Sequence, residues 1–165
     1  MRLVADLHTH SVASGHAYCT INEMVQAGAD TGLEMIAITD HGPNMPGGPH
    51  LFYFGNLRVV PDVITGVKVL RGVEANIVGP SGELDLPDFI LAKLDIVFAG
   101  FHTYTGYDDS GVSKNTQAMI GALENPYVDG IVHPGNPVFP VDIREVVAVA
   151  KDLSKLIEIN NASLT

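Results

Sequence analysis

Short apolar runs recur along this chain at 3–7, 35–39, 67–74, 95–101, 128–132 and 156–159, and helix-patterned stretches separate most of them. Runs of this length, rich in Val, Ile, Leu and Phe, read as strands buried on both faces. Strands of that kind need helices packed on them, so the rhythm predicts a parallel α/β sheet, either open or closed into a barrel. The 165 residues, 46% of them hydrophobic, are enough for one sizeable core and predict one domain. The longest apolar stretches, about six residues, fall far short of a membrane span.

The intervening segments carry their own punctuation. In 21–32, Ile21, Met24, Val25 and Gly28 fall on one helical face. Thr20 with Glu23 three residues on is a capping-box pattern, and Gly32 is a natural stop. Gly28 is expected to allow a close approach to the sheet. Further helices are predicted over 113–123 and over 142–153, where Val146, Val147 and Ala150 share a face. Short helices are expected in part of 54–65, with Pro61 as an obstacle, and at the start of 87–93. The stretch 42–49 is a Gly/Pro-rich loop.

The polar residues gather where these strands end. His8 and His10 follow the first strand, Asp40 and His41 the second, His102 the fourth, His133 the fifth, and Asn160 and Asn161 the sixth, while Glu74 ends the third. In barrels and open α/β sheets these ends share one face, the face that holds the chemistry. A single histidine at a strand end is ordinarily structural. Here six of the seven histidines (His8, His10, His16, His41, His102 and His133) lie at strand ends or in the loops just after them.

His8 and His10, two apart on an extended segment, point the same way and can share one ion. His16 lies in a Ser/Gly-containing loop that can fold it back, and the two oxygens of Glu74 can bridge two ions. Imidazoles with a carboxylate suit zinc, and also iron or manganese. So many ligands exceed the needs of one ion, so a multinuclear site is expected. Such sites polarise a phosphoryl oxygen, lower the pKa of a water and steady a leaving group, which predicts a hydrolase.

The net charge of −10, from 9 basic and 19 acidic residues, disfavours nucleic-acid backbones but leaves room for a small phosphorylated substrate. The single cysteine excludes an internal disulfide and fits a reducing compartment. With no signal-peptide pattern visible, the expectation is a cytoplasmic protein with no membrane association.

The run Asp6-Leu7-His8-Thr9-His10-Ser11, then Ile38-Thr39-Asp40-His41-Gly42, Gly72-Val73-Glu74 and His133-Pro134 resembles the PHP (polymerase and histidinol phosphatase) superfamily of metallohydrolases. The segments Ser14-Gly15-His16-Ala17-Tyr18, Leu70-Arg71-Gly72-Val73-Glu74-Ala75-Asn76, Ala99-Gly100-Phe101-His102, Asn115-Thr116-Gln117-Ala118-Met119-Ile120, His133-Pro134-Gly135-Asn136-Pro137 and Glu158-Ile159-Asn160-Asn161 are similar to its YcdX-type phosphatase branch. The resemblance spans nearly the whole chain, and the motifs are specific jointly rather than singly.

It implies a distorted (βα)7 barrel with up to three ions, usually zinc, at the C-terminal face. By motif, His8, His10 and Glu74 would hold one ion, His16 and His41 a second, and Glu74, His102 and His133 a third, with Glu74 bridging. Asp40 would orient a ligand or shuttle a proton. The family pattern continues to a seventh strand bearing an Asp and a His that complete the first two sites. This sequence stops at Thr165, so the expectation is a single PHP domain over 1–165, truncated after about six strands. By itself it is expected to bind fewer than three ions, to be nearly inactive, and to favour homo-oligomers through its open edge.

Other residues carry weaker signals. Arg58 is a candidate contact for substrate phosphate, and a solvated Arg reads equally well. Arg71 is expected in an ion pair behind Glu74. His50 is expected at the surface and Cys19 as a small buried residue. Tyr104 and Tyr107 are expected to shape the pocket. Competing readings are an exonuclease or phosphodiesterase of the same superfamily, an amidohydrolase or deaminase, and an inactive metal-binding fragment. The charge counts against the first. The lack of any Lys at a strand end counts against the second.

Overall fold

A computed structural model describes residues 3–161. The parallel strands are β1 (Ala5–Thr9), β2 (Met35–Ile38), β4 (Val67–Asn76), β5 (Ile96–Gly100), β6 (Gly130–Ile131) and β7 (Leu156–Ile157). They lie side by side in chain order, and β3 (Val63–Ile64) pairs antiparallel with β4. A doubly wound sheet would reverse its strand order at some point. No reversal occurs here, so each parallel strand is added on the same side of the last. The sheet therefore curls as a barrel does rather than lying open with two windings.

The curl brings its two edges around one cavity of about 660 Å³, lined from β1 by Ala5, Asp6, Leu7 and His8 and from the β7 side by Leu156, Ile157, Glu158 and Ile159. No ladder joins β1 to β7 among the described residues. The architecture is a half-barrel, the expected (βα) type left open on one side.

Side-chain alternation sorts the strands into two layers. Val73 and Ala75 of β4 and Ile77 just beyond it, with Val97 and Ala99 of β5, face outward and pack on α4 (Val112–Glu124) and α5 (Ile143–Asp152) through Ala118, Met119, Ala122, Leu123, Val146 and Ala150. Ile36, Ile38, Val67 and Val69 pack instead with Val25 of α1 (Ile21–Thr31). Ala37, Ile96, Phe98 and Val132, with Leu7 and Leu70, fill the inside of the curl. On β4 the inward series begun by Leu70 continues at Glu74, which places a carboxylate just above that apolar plug.

The helix boundaries follow their local chemistry. Thr20 and Glu23 form the expected reciprocal capping box, and Gly32 ends α1 in the left-handed conformation at φ 82. Asp142 caps α5 by accepting from Arg144 N and Glu145 N. The short helix α2 (Leu51–Asn56) begins before the expected 54–65 segment because the exposed His50 side chain caps Phe52 N. A 3-10 turn, Leu57–Val59, then runs to Val60, where Pro61 stops it. The other short helix is α3 (Asp88–Leu91).

Three readings need correction. The β3–β4 hairpin went unseen in the sequence: its two-residue turn, Thr65-Gly66, has positive φ at both positions (48 and 82), the form that matches strand twist. Gly28 needs no special room, since a Cβ there would meet only Leu33 at 3.5 Å, an ordinary contact. Cys19 is exposed rather than buried. No helix among the described residues is long and apolar enough to cross a membrane.

Candidate metal centre

Glu74 is the hub. It is 1% exposed and stands near the end of β4, between His41 after β2 and His102 after β5. Its Oε1 lies 2.9 Å from His102 Nε2 and 2.7 Å from His133 Nε2. Its Oε2 lies 3.2 Å from His8 Nε2, 3.2 Å from His10 Nε2 and 2.9 Å from His41 Nδ1. His16 completes the group, its ring centre 5.0 Å from that of His10 and 4.9 Å from that of His41. Parallel strands produce this convergence because each brings residues at or just beyond its C-terminal end to the same rim.

Contacts this close would ordinarily be hydrogen bonds, yet several are not. His41 Nδ1 and Glu74 Oε2, though 2.9 Å apart, have no hydrogen-bond partner of acceptable geometry, and neither does the buried His102 Nδ1. Buried polar atoms left unpaired are rare and call for a reason. Lone pairs that converge without a proton between them fit a cation. Three overlapping sets, His8/His10/Glu74, His10/His16/His41 and His41/Glu74/His102, each offer three donor atoms within 4.8 Å of one another. The donor chemistry, neutral imidazole with one carboxylate, fits a transition-metal ion such as zinc.

The titration of these groups follows the same geometry. Burial pushes the Glu74 carboxyl up, but the rings of His10, His102, His133 and His41 around it overcome that and hold the group ionised, well below the usual range. Burial holds the His41 imidazole down, which favours its neutral, ligating form. Burial also opposes charge on His8, but Glu158 and Glu74 outweigh it and raise that imidazole to about 10. An ion bound beside His8 would therefore have to displace a proton.

The profile of the PHP domain family matches residues 6–132. The chain belongs to this family. It is 55% identical over 163 residues to the probable phosphatase TTE1963 of Caldanaerobacter subterraneus subsp. tengcongensis, covering 99% of this chain and 64% of that protein. A probable phosphatase of Acetivibrio thermocellus is 53% identical, with 99% and 67% covered. The chain thus spans about two thirds of the length of these curated relatives. Among solved structures, a histidinol phosphate phosphatase (HISK) from Lactococcus lactis subsp. lactis Il1403, complexed with zinc, L-histidinol and phosphate, superposes with a TM-score of 0.59 at 15% identity. That match covers 94% of this chain and 72% of the other, and at this identity it speaks for the fold.

Within this PHP domain all seven residues expected as ligands, His8, His10, His16, His41, Glu74, His102 and His133, lie together. Asp40 and Arg58 do not join them. Asp40 is fully buried and accepts from Ser11 N at 2.7 Å, Ser11 Oγ at 2.7 Å, Ser14 Oγ at 2.6 Å and Tyr53 Oη at 2.5 Å. It reaches the cluster through Ser14, whose Oγ lies 3.1 Å from His10 Nδ1 and accepts from His41 N at 3.1 Å. Arg58 lines a separate groove of about 350 Å³ between α2 and α3, with Phe52 and Lys93 among its neighbours.

Arg71 does form an ion pair, with Asp95 at 2.8 Å and Asp62 at 3.0 Å, and no contact with Glu74 is seen. Tyr107 belongs to the core, stacked on Phe101 with its hydroxyl donating to Asn115 Oδ1, so of the two loop tyrosines only Tyr104 is exposed.

Sequence reasoning missed Glu158, Ser14 and Tyr53. Glu158 Oε1 sits 2.9 Å from His8 Nδ1 and its Oε2 accepts from His133 N at 2.7 Å. The available signal was a carboxylate between Ile157 and Ile159 in an otherwise apolar strand. Gly100 is a further requirement of the site. A Cβ there would lie 2.9 Å from His133 Cε1, so only glycine lets that ring settle across β5.

Proposed function

We propose that this PHP domain holds a cluster of divalent ions, zinc or in its place manganese or iron, and belongs to a phosphatase that cleaves small phosphoesters with an activated water. The observation that carries this is the convergence of five imidazole nitrogens within 3.2 Å on the two oxygens of one buried carboxylate. By motif, His8, His10 and Glu74 would hold one ion, His41 and His16 a second, and Glu74 with His102 and His133 a third. When bound, such ions polarise a phosphoryl oxygen and lower the pKa of a water at the same rim.

The chain's own residues supply orientation. Glu74 stays ionised and bridges the ligand sets through its two oxygens. Asp40 acts through Ser14, holding the His10 ring and the backbone of His41, rather than on the substrate. Arg58, with no contact to the cluster, has no part in the reaction as proposed. The names of the relatives and the zinc and phosphate bound to the structural neighbour support this reading. The net charge of −10 favours a small phosphoester over a nucleic-acid strand.

The test is metal content by mass spectrometry together with phosphate release from a panel of small phosphomonoesters. Bound divalent ions are expected, and a chelator is expected to abolish whatever turnover the chain shows. A protein that takes up no divalent ion, or whose turnover survives chelation, overturns the reading.

A further inference from the structure

Glu158 carries no assignment in the reaction just described, yet it touches two of the residues in it. It stands just beyond β7, half-buried, and spends one oxygen on each neighbour. Oε1 lies 2.9 Å from His8 Nδ1, and Oε2 accepts from the backbone N–H of His133 at 2.7 Å. A neutral imidazole has one N–H and one lone pair. If Nδ1 carries the proton and donates it to Glu158, the lone pair must be at Nε2. That is the atom 3.2 Å from Glu74 Oε2 and 3.3 Å from His10 Nε2, inside the ligand set. The opposite tautomer would set a lone pair against a carboxylate and turn a proton into the site.

The second contact has a different task. His133 has φ 35, a conformation that costs a non-glycine residue free energy unless its surroundings impose it. The Glu158 bond to its N–H is one such restraint, and it fixes where the ring leaves the backbone. One side chain thus sets the tautomer of His8 on β1 and the backbone of His133 after β6.

Resting on the metal-site reading above, we infer that Glu158 is a positioning residue that commits His8 to ligation through Nε2 and anchors His133 toward the Glu74 bridge. Glutamine in its place keeps the shape but has a single acceptor oxygen, so it can accept from only one of the two partners, and its NH2 facing His8 Nδ1 would favour the opposite tautomer. Alanine satisfies neither.

The test compares wild type with Glu158→Gln and Glu158→Ala, measuring zinc affinity by chelator competition, histidine tautomers by long-range 1H–15N NMR of the zinc-loaded protein, and thermal midpoints in excess chelator. The expected result is a loss of zinc affinity of about 10- to 100-fold, the range for outer partners of metal-binding histidines, larger for alanine than for glutamine. The His8 pattern of protonated Nδ1 and ligated Nε2 is expected in wild type and lost in alanine. If alanine does not fold, the glutamine variant carries the comparison. Unchanged affinity, or a loss matched by a lower midpoint in chelator while the His8 tautomer stays as in wild type, overturns the inference and leaves a mere clamp between strands. A wild type that takes up no divalent ion overturns the metal reading, and this inference with it.

Discussion

Arg71 and Glu74 stand three positions apart on β4, and both are held by opposite or complementary charge, but the two arrangements have little else in common. Arg71 points outward to Asp95 and to an Asp62 that is 75% exposed. Water solvates all three groups, so the pairing is close to neutral in free energy. Glu74 points into the curl, where burial alone would oppose its charge, and it stays ionised because imidazoles surround it. The odd spacing puts the two residues on opposite faces of one strand. Charge acquires consequences where the alternation aims it inward, because there nothing but protein or a bound ion can answer it.

The sharpest way to break the comparison is Glu74→Gln. It keeps the shape and removes the charge, and zinc affinity is expected to fall by more than about 100-fold, beyond the effect of losing an outer partner. Metal retained after dialysis measures it, and retention near the wild-type level would show that the hub is dispensable. A smaller effect is expected from Gly100→Ala, whose Cβ would press on His133 Cε1 and Val132 Cγ2, each at 2.9 Å. Overpacking of this kind costs about 1–3 kcal/mol in a chemical denaturation midpoint, with weaker metal binding alongside. The smallest belongs to the outer face. Arg71→Ala is expected to change stability by about 1 kcal/mol or less and to leave metal content unaltered. A loss of metal there would mean that the two faces of β4 communicate.

Much of the fold was legible because local rules agreed with the tertiary outcome. The capping box at Thr20 and Glu23, the stop at Gly32 and the strand-end positions of the histidines all emerge from spacing alone. The strand limits shifted: β1 is Ala5–Thr9 rather than 3–7, so His8 lies within the strand, at the register shift between Asp6 and Thr9, and β6 and β7 keep only two ladder residues each. Loop residues misled more. Tyr107 looked like pocket lining and is core, because stacking on Phe101 and a tilted contact with Phe139 outweigh its place in a polar loop.

For the site, residue types and strand-end positions pointed to His8, His10, His16, His41, Glu74, His102 and His133 among other strand-end residues, since parallel strands deliver their ends to one rim, and the family resemblance narrowed them to a ligand set. Which nitrogen each ring presents was beyond reach, and so was every supporting contact. Glu158 lies 150 residues from His8 and Asp40 lies 26 from Ser14, and such partners meet only when the sheet curls. A linear pattern encodes which face of its own strand or helix a side chain occupies. It carries no information about which distant side chain stands opposite, because that depends on how far the whole sheet bends and on what packing pushes each loop into place.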